Sequence, residues 1–307
     1  MGNKVYTCVV VLLWGAAMTW LVSSKILPPF FRGEAPRTGL NGHQPVCWRV
    51  LVGDEHIGWA VSQAVPGADG STELHSRVKL ANVPLARMAP RWMSTVIDNI
   101  GPLELDMRSR TTLDSLGNLS VFETNVQVND LPSAILMKGV VDEGNIRLRL
   151  QYGEVVHRLD YPWPEHAQLG GKLTPDAKLL QVYTGRKWQK EVYNPFGGPQ
   201  GAIEVIEAEV LGEEVLLVNG ELSNTRRIEF RSIDATGVSS EDRRRSTVWV
   251  NEEGLVVREE INLMDVLLRF DRESEAATRT IAPDLLQLDE YATLSAEDRA
   301  EAAAASH

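Results

Sequence analysis

The chain has 307 residues, 43% of them hydrophobic and 24% charged, a globular composition that excludes a collagen-like or wholly disordered protein. Its 42 acidic side chains against 31 Lys and Arg give a net charge of -11, which argues against a nucleic-acid partner because phosphate binding needs a cationic face. Cys8 and Cys47 are the two cysteines, too few for a disulfide framework or a four-cysteine zinc site.

Residues 1–4 form a stub, expected in the cytoplasm, ahead of an uncharged apolar run over residues 5–22 (VYTCVVVLLWGAAMTWLV). At about 1.5 Å per residue a helix of this length spans roughly 27 Å, close to the hydrocarbon thickness of a bilayer. Only a helix satisfies the backbone of such a segment in lipid. A buried core helix and a cleaved signal peptide are the competing readings. The following residues, Val22-Ser-Ser-Lys-Ile-Leu-Pro-Pro, lack a small-x-small cleavage site, and Tyr6 occupies the Ser/Thr position of a myristoylation signal. The run therefore reads as a retained transmembrane anchor whose partner is the lipid bilayer. Lys4 precedes it and Lys25, Arg32 and Arg37 follow it, so the charge bias is weak or even reversed. A short N-terminal anchor ahead of a long soluble domain most often exports that domain. The expected location is a single pass in the cytoplasmic (inner) membrane with the bulk of the chain outside the cytoplasm. Residues 23–45 carry Pro28, Pro29, Pro36 and Pro45 without an apolar period and read as a tether.

Residues 46–275 show period two, the repeat that sends successive side chains to opposite faces of a strand. Leu74, Ser76, Val78 and Leu80 alternate with Glu73, His75, Arg77 and Lys79; Leu103, Leu105 and Met107 alternate with Glu104, Asp106 and Arg108; Ile146, Leu148 and Leu150 alternate with Asn145, Arg147 and Arg149. One apolar and one charged face describe antiparallel sheet with a wetted side. Asp69-Gly70, 114–117 and 251–254 place glycine where a short hairpin loop needs a left-handed residue. About a dozen strands must curl or close to deal with their edges. The predicted fold is thus mainly β, a large curved antiparallel sheet or incomplete barrel, with one or two covering helices. Those helices are expected at 84–100, from Leu85, Met88, Trp92, Met93, Val96 and Ile97, and at 175–183, from Thr174 as N-cap and Pro175 at the first helical position. Residues 276–307 read as an acidic, alanine-rich tail.

Catalytic patterns fail in turn. Cys47 opens a strand with no helix N-terminus to lower its pKa. The histidines, at 43, 56, 75, 157, 166 and 307, never fall two or four apart, so no metal motif forms, and His75 and His157 read as residues of wet strand faces. Residues 166–173 lack the first glycine and the Ser/Thr of a phosphate loop, and 237–241 lack the closing glycine of a nucleophile elbow. Glu204, Glu207, Glu209, Glu213 and Glu214 read as a solvated strand face, and Arg243, Arg244 and Arg245 as balanced by Glu241 and Asp242. No enzyme, cofactor or metal is expected.

Two hairpins carry a resemblance. Val50-Leu-Val-Gly-Asp-Glu-His-Ile-Gly-Trp59 and Thr247-Val-Trp-Val-Asn-Glu-Glu-Gly-Leu-Val-Val-Arg258-Glu resemble the opening and closing hairpins of a bacterial envelope β-module that precedes transglutaminase-like domains. The chain is also similar, in outline over 46–273, to periplasmic β-proteins of the lipoprotein-carrier type. The resemblance implies a half-barrel with an apolar cavity; no cysteine-protease-like domain is expected, and no catalytic residue carries over. Two functions lead as expectations, with an unrecognised hydrolase, in which Cys47 or a histidine meets a carboxylate across a cleft, as a third reading. One is a membrane-tethered, non-enzymatic domain that binds an envelope protein. The other is a carrier of lipid or another hydrophobic ligand, with Trp59, Met88, Trp92, Met93, Trp163 and Trp188 as candidate pocket residues.

Overall fold

The computed structural model describes residues 44–67, 70–83, 103–129, 131–164, 167–169, 174–193, 203–233, 239–263 and 266–286, together with Pro36, Thr38, Gly39, Tyr6, 13–15 and 17–20. The strands are β1 (Thr38–Gly39), β2 (Val46–Val52), β3 (Glu55–Pro66), β4 (Thr72–Val83), β5 (Leu103–Leu113), β6 (Leu119–Val128), β7 (Leu131–Asp142), β8 (Asn145–Tyr152) and β9 (Val155–Pro162). They continue with β10 (Gln168–Leu169), β11 (Lys178–Leu179), β12 (Lys187–Tyr193), β13 (Ile203–Val218), β14 (Glu221–Ile233), β15 (Ser239–Asn251), β16 (Val256–Leu263) and β17 (Val266–Arg272). Helix α1 (Glu275–Leu286) follows the last strand.

Fifteen of these strands form one sheet in the order β10-β12-β13-β14-β15-β16-β17-β2-β3-β4-β5-β6-β7-β8-β9. Two meanders, β2 to β9 and β12 to β17, join where β17 pairs antiparallel with β2, Phe270 opposite Val50. Neighbours are antiparallel except for β10 with β12. The sheet curls until its edges approach. Tyr193 on β12 lies 5.9 Å from Tyr161 on β9 and 5.6 Å from Trp163 just beyond it, ring centre to ring centre. Side chains, not a backbone ladder, bridge this gap among the described residues.

The turns form as their residues dictate. Gly70, Gly117 and Gly254 take φ of 76°, 88° and 81°; Asp69 lies outside the described residues. Asp114 Oδ1 accepts from the amides of Leu116 and Asn118, and Asn251 Oδ1 accepts from those of Glu253 and Leu255, so the same side-chain device closes both loops. The registers put the start of β2 and the turns at 67–71, 114–118, 143–144, 219–220 and 251–254 at one end of the sheet, called proximal below. The turns at 53–54 and 153–154 lie at the distal end.

Alternation along the strands builds the core. Trp48, Val50, Val78, Val210, Ile228, Val250 and Phe270 turn to the inner face, each at 1% exposure or less. A second cluster, with Phe122, Met137, Ile146, Trp163 and Tyr193, fills the region where the edges meet. Gly139 lets the Phe122 ring lie flat on the strand, in space a Cβ would occupy.

Three expectations are corrected. Residues 174–183 form no helix. Leu179 pairs instead with Thr38, its amide donates to Gly254 O at 2.8 Å, and Val256 donates to Ala177 O at 3.3 Å, so neighbouring strands take the polar groups a helix would have paired internally. The chain from 276 to 286, expected in the tail, belongs to α1. Ser274 caps the helix by accepting from Ala277 N, and Ala282 and Leu286 pack on Cys47 and Val61 of the outer face. The outer face is therefore not wet throughout. Beside and beneath α1, His75 and Arg77 are buried, because Arg77 is clamped by Asp106 at 2.8 and 2.5 Å and donates to Leu285 O at 3.0 Å. His157, by contrast, is exposed and stacks on Tyr152.

The helix expected at 84–100, the stub at 1–4 and residues 287–307 lie outside the described residues. So do most of the tether and part of the run 5–22, whose described members, Tyr6, 13–15 and 17–20, are helical. Among the described residues no helix is long and apolar enough to cross a membrane.

Candidate functional site

Among the described residues, the inner face carries a polar cluster around Glu259. Glu259 lies opposite Val248 on β15 and Phe270 on β17, both inner-face residues, so the register turns its carboxylate inward. Lys190 sits between Trp188 and Val192, two inner-face residues of β12, with its Nζ 4.9 Å from the centre of the Phe230 ring. Asp176 arrives on the irregular segment 174–182. Arg272 pins that segment across the proximal end, donating to Ala177 O at 2.8 Å and Val256 O at 3.2 Å. The Arg272 guanidinium lies 5.6 Å from the Trp48 ring, and burial lowers its pKa.

Asp176, Lys190, Ser246 and Glu259 line a cavity of about 40 Å³, with Phe230 and Val248 among its apolar walls. Glu259 is half-buried and borders the cavity. Burial, and then the Asp176 charge, push its pKa up to about 7, against the lowering influence of Lys190 and a hydrogen bond with Ser246. The volume holds a few water molecules. It is far below the roughly 300 Å³ of a small-molecule pocket. The cluster can bind a proton near neutrality and hold the segment 174–182 at the barrel mouth; it has no room for an organic substrate. Sequence reading missed it because a bulge between Trp249 and Val250 shifts the register by one residue, setting Glu259 opposite Val248 where an unbroken count from the 251–254 turn gives Arg258.

The tryptophans expected in one pocket lie apart. Trp188 is buried edge-on to Phe230 at 5.9 Å, and Trp163 packs on Tyr193 in the second cluster. Trp59 is on the outer face, because Trp48 and Ala60 take the inner one; it lies under Arg49 at 5.8 Å and edge-on to His56 at 4.8 Å. Met88, Trp92 and Met93 lie outside the described residues.

Cys47 is enclosed beneath α1, where burial pushes its thiol up to about 11 despite a hydrogen bond with Thr278. A thiol that stays protonated is no nucleophile. His75 meets Glu73 at 3.2 Å along its own strand, and Glu73 is held by Arg110 at 2.7 Å. Burial lowers the His75 pKa, and the arrangement is a strand-face ladder, not a pair across a cleft. On the outer face of β13 to β15, buried Glu229 is gripped by Arg227 at 3.1 Å, by Arg231 and by Arg244 at 3.9 Å. Arg245 pairs with Glu204 at 2.6 Å. The arginines at 244 and 245 thus find strand carboxylates, and Glu204, Glu209 and Glu214 are partners in networks more than solvated side chains. Among the described residues no group of three or more His, Cys, Asp or Glu could hold a metal.

Among solved structures, the chain is similar to a β-barrel-like protein of the domain of unknown function DUF1849 from Brucella abortus. That similarity has a TM-score of 0.47 at 10% identity, covering 75% of this chain and 95% of that one. It is also similar to a DUF1089 family protein from Pseudomonas aeruginosa, with a TM-score of 0.33 at 11% identity, covering 66% and 89%. No family model matches the chain, and no curated protein does. The resemblance to transglutaminase-associated and lipoprotein-carrier modules is not confirmed by these comparisons.

Proposed function

We propose that the protein is a membrane-tethered, non-enzymatic binding domain of the cell envelope. The apolar run 5–22 holds it at the cytoplasmic membrane, the β-domain lies outside the cytoplasm, and its outer wall engages an envelope protein. The observation that carries this reading is the filled interior. Trp48, Trp188 and Phe270 occupy the space that a carrier would leave open, and the polar cavity beside Glu259 measures about 40 Å³. A carrier of the half-barrel kind needs several times that volume, and apolar walls throughout. The wall offers instead a rigid charged surface, in which Arg227, Arg231 and Arg244 are held in place around Glu229.

Alkaline extraction of membranes, followed by protease digestion of intact spheroplasts, tests the placement. The full chain is expected in the membrane pellet and cleaved from outside. A soluble form trimmed near residue 25 overturns the tether. Cross-linking in cells tests the binding role: one reproducible envelope protein is expected, lost when Arg227 and Arg244 are replaced by Glu. A cross-link that survives those replacements overturns the assignment to this wall.

A further inference from the structure

Among the described residues of the β-domain, the most exposed large apolar side chains gather at one end. Five of those described exceed half exposure: Leu116 at 85%, Leu222 at 77%, Leu217 at 62%, Tyr183 at 61% and Val215 at 58%. All five lie at the proximal end. Leu116 tops the 114–118 turn, and Tyr183 stands in the loop before β12, whose Gly185 amide donates to Val210 O. The other three belong to the β13–β14 hairpin, which outruns its neighbour: β15 pairs with β14 only as far as Thr225 opposite Asn251. Leu217 lies opposite Leu222, with Val215 two residues away on the same face. Their opposite-face neighbours Leu216 and Val218 are half-buried, and Asn219 at the tip donates to Arg272 O at 3.1 Å. Distal Tyr152, Val155, Val156 and Leu267 are exposed too, but less so, at 40–49%.

The same end receives the chain from its N-terminus. Thr38 and Gly39 pair with Leu179 and Lys178 beside the 251–254 turn, and β2 begins there at Val46. The 15 residues between 22 and 38 cannot carry this end farther than roughly 55 Å from the end of the apolar run.

We infer that the proximal rim is a lipid-contacting surface: the tips bearing Leu116, Tyr183, Val215, Leu217 and Leu222 enter the headgroup region of the bilayer in which the run 5–22 is anchored. Large apolar side chains carried on three separate tips, three of them on the β13–β14 hairpin, suit an interface of mixed polarity better than a flat protein partner. The charges around them select the headgroup. Glu213 is paired with Arg226 at 3.5 Å and Glu214 accepts from Trp249 Nε1 at 2.9 Å, while Glu221, Glu252 and Glu253 remain exposed. Arg186 lies over the Tyr183 ring at 5.6 Å, but carboxylates outnumber cations among these side chains, and a mostly acidic rim gains nothing from anionic lipid. The surface it fits is zwitterionic, and the contact is insensitive to salt because burial of apolar surface drives it.

This inference rests on the tether proposed above, and its test separates the two. The full chain, carrying Cys8→Ser and one of Leu116→Cys, Leu222→Cys or Leu267→Cys, is labelled with a nitrobenzoxadiazole probe and reconstituted with phosphatidylcholine vesicles; Cys47 is shielded by burial. The chain is expected to float with the vesicles. Probes at 116 and 222 should brighten about twofold or more and be quenched by brominated phosphatidylcholine, in low and high salt alike, while the probe at 267 stays as in buffer. In the Leu217→Asp/Leu222→Asp variant, quenching at 116 should fall while flotation persists. Flotation with aqueous probes at 116 and 222 overturns the rim and leaves the tether standing. Equal quenching at 267 also overturns it, because the domain then has no preferred end. Failure to float overturns the tether and the rim together.

Discussion

Replacing Glu259 with Gln should reverse part of the protein's pH dependence. The carboxyl of Glu259 has its pKa raised from 4.5 to about 7, chiefly by burial and then by Asp176. A raised carboxyl pKa means that the folded chain holds a proton the unfolded chain has already lost between about pH 4.5 and 7. Stability contributed at this site is therefore present below that window and falls as pH rises through it. At 1.36 kcal/mol for each unit, the loss by pH 8 is about 3 kcal/mol. Gln keeps the shape and the hydrogen bond with Ser246 but does not ionise. The difference in unfolding free energy between Glu259→Gln and the parent should thus grow by about 3 kcal/mol from pH 4.5 to pH 8, in favour of the variant, or about 6–12 °C in Tm. His75, whose pKa burial lowers, works in the opposite direction below its ordinary 6.5, but it is present in both proteins and cancels in the difference. Urea unfolding of both proteins at half-unit pH steps is the assay. A difference that does not change across the window refutes the inward, desolvated placement of Glu259.

Other perturbations probe the remaining parts. Arg77→Met leaves Asp106 without its main partner and removes the bond to Leu285 O, so it should cost about 3–5 kcal/mol and expose α1 to protease. The Asp106 pKa is lowered in the fold, with burial as the largest influence but its opposing raise outweighed by the hydrogen bond and charge of Arg77. Stability from this pair is present above the ordinary carboxyl pKa and should be lost as pH falls below it. Gly139→Ala forces a methyl into the buried Phe122 ring and should cost about 1–3 kcal/mol in thermal unfolding, whereas Gly144→Ala, at a positive-φ turn with open space around it, should cost only the backbone strain of about 1 kcal/mol. Arg272→Ala frees the segment 174–182, and hydrogen exchange should speed up at the amides of Leu179 and Val256 before it does at Val248. Cys47 should resist a thiol reagent at pH 8 in the folded Cys8→Ser chain and react only at the rate of local opening at α1.

Much of the sheet is legible in the sequence because its cues are local. Asp114 and Asn251 announce their loops, with Gly117 and Gly254 three residues later. The alternation at 74–80, 103–107 and 145–150 assigns faces without reference to the rest of the chain. What is not legible depends on who covers whom. Glu73, His75 and Arg77 spell a wet row, yet a helix from 200 residues away shelters Arg77 and closes over Cys47. That helix is hard to see because its polar sequence carries Pro283 and buries only Thr278, Ala282 and Leu286. Thr174 and Pro175 are sound helix-start residues, but the segment lies against the turn end of the β15–β16 hairpin, whose backbone offers better partners. The tryptophans mislead for a related reason: parity along a strand says inner or outer, while the distance between Trp59, Trp163 and Trp188 is set by their places among fifteen strands. Glu259 escapes notice because it stands among carboxylates that face outward.

Native mass spectrometry of the full chain, released from membranes in mild detergent, tests the filled interior most directly. A protein whose core is Trp48, Trp188 and Phe270 should fly at the mass of its chain, alone or with a protein partner, and release no stoichiometric lipid on organic extraction. A lipid or other hydrophobic molecule retained at one per chain, and lost on enlarging the side chain at Ala60 or Ala208, would contradict it.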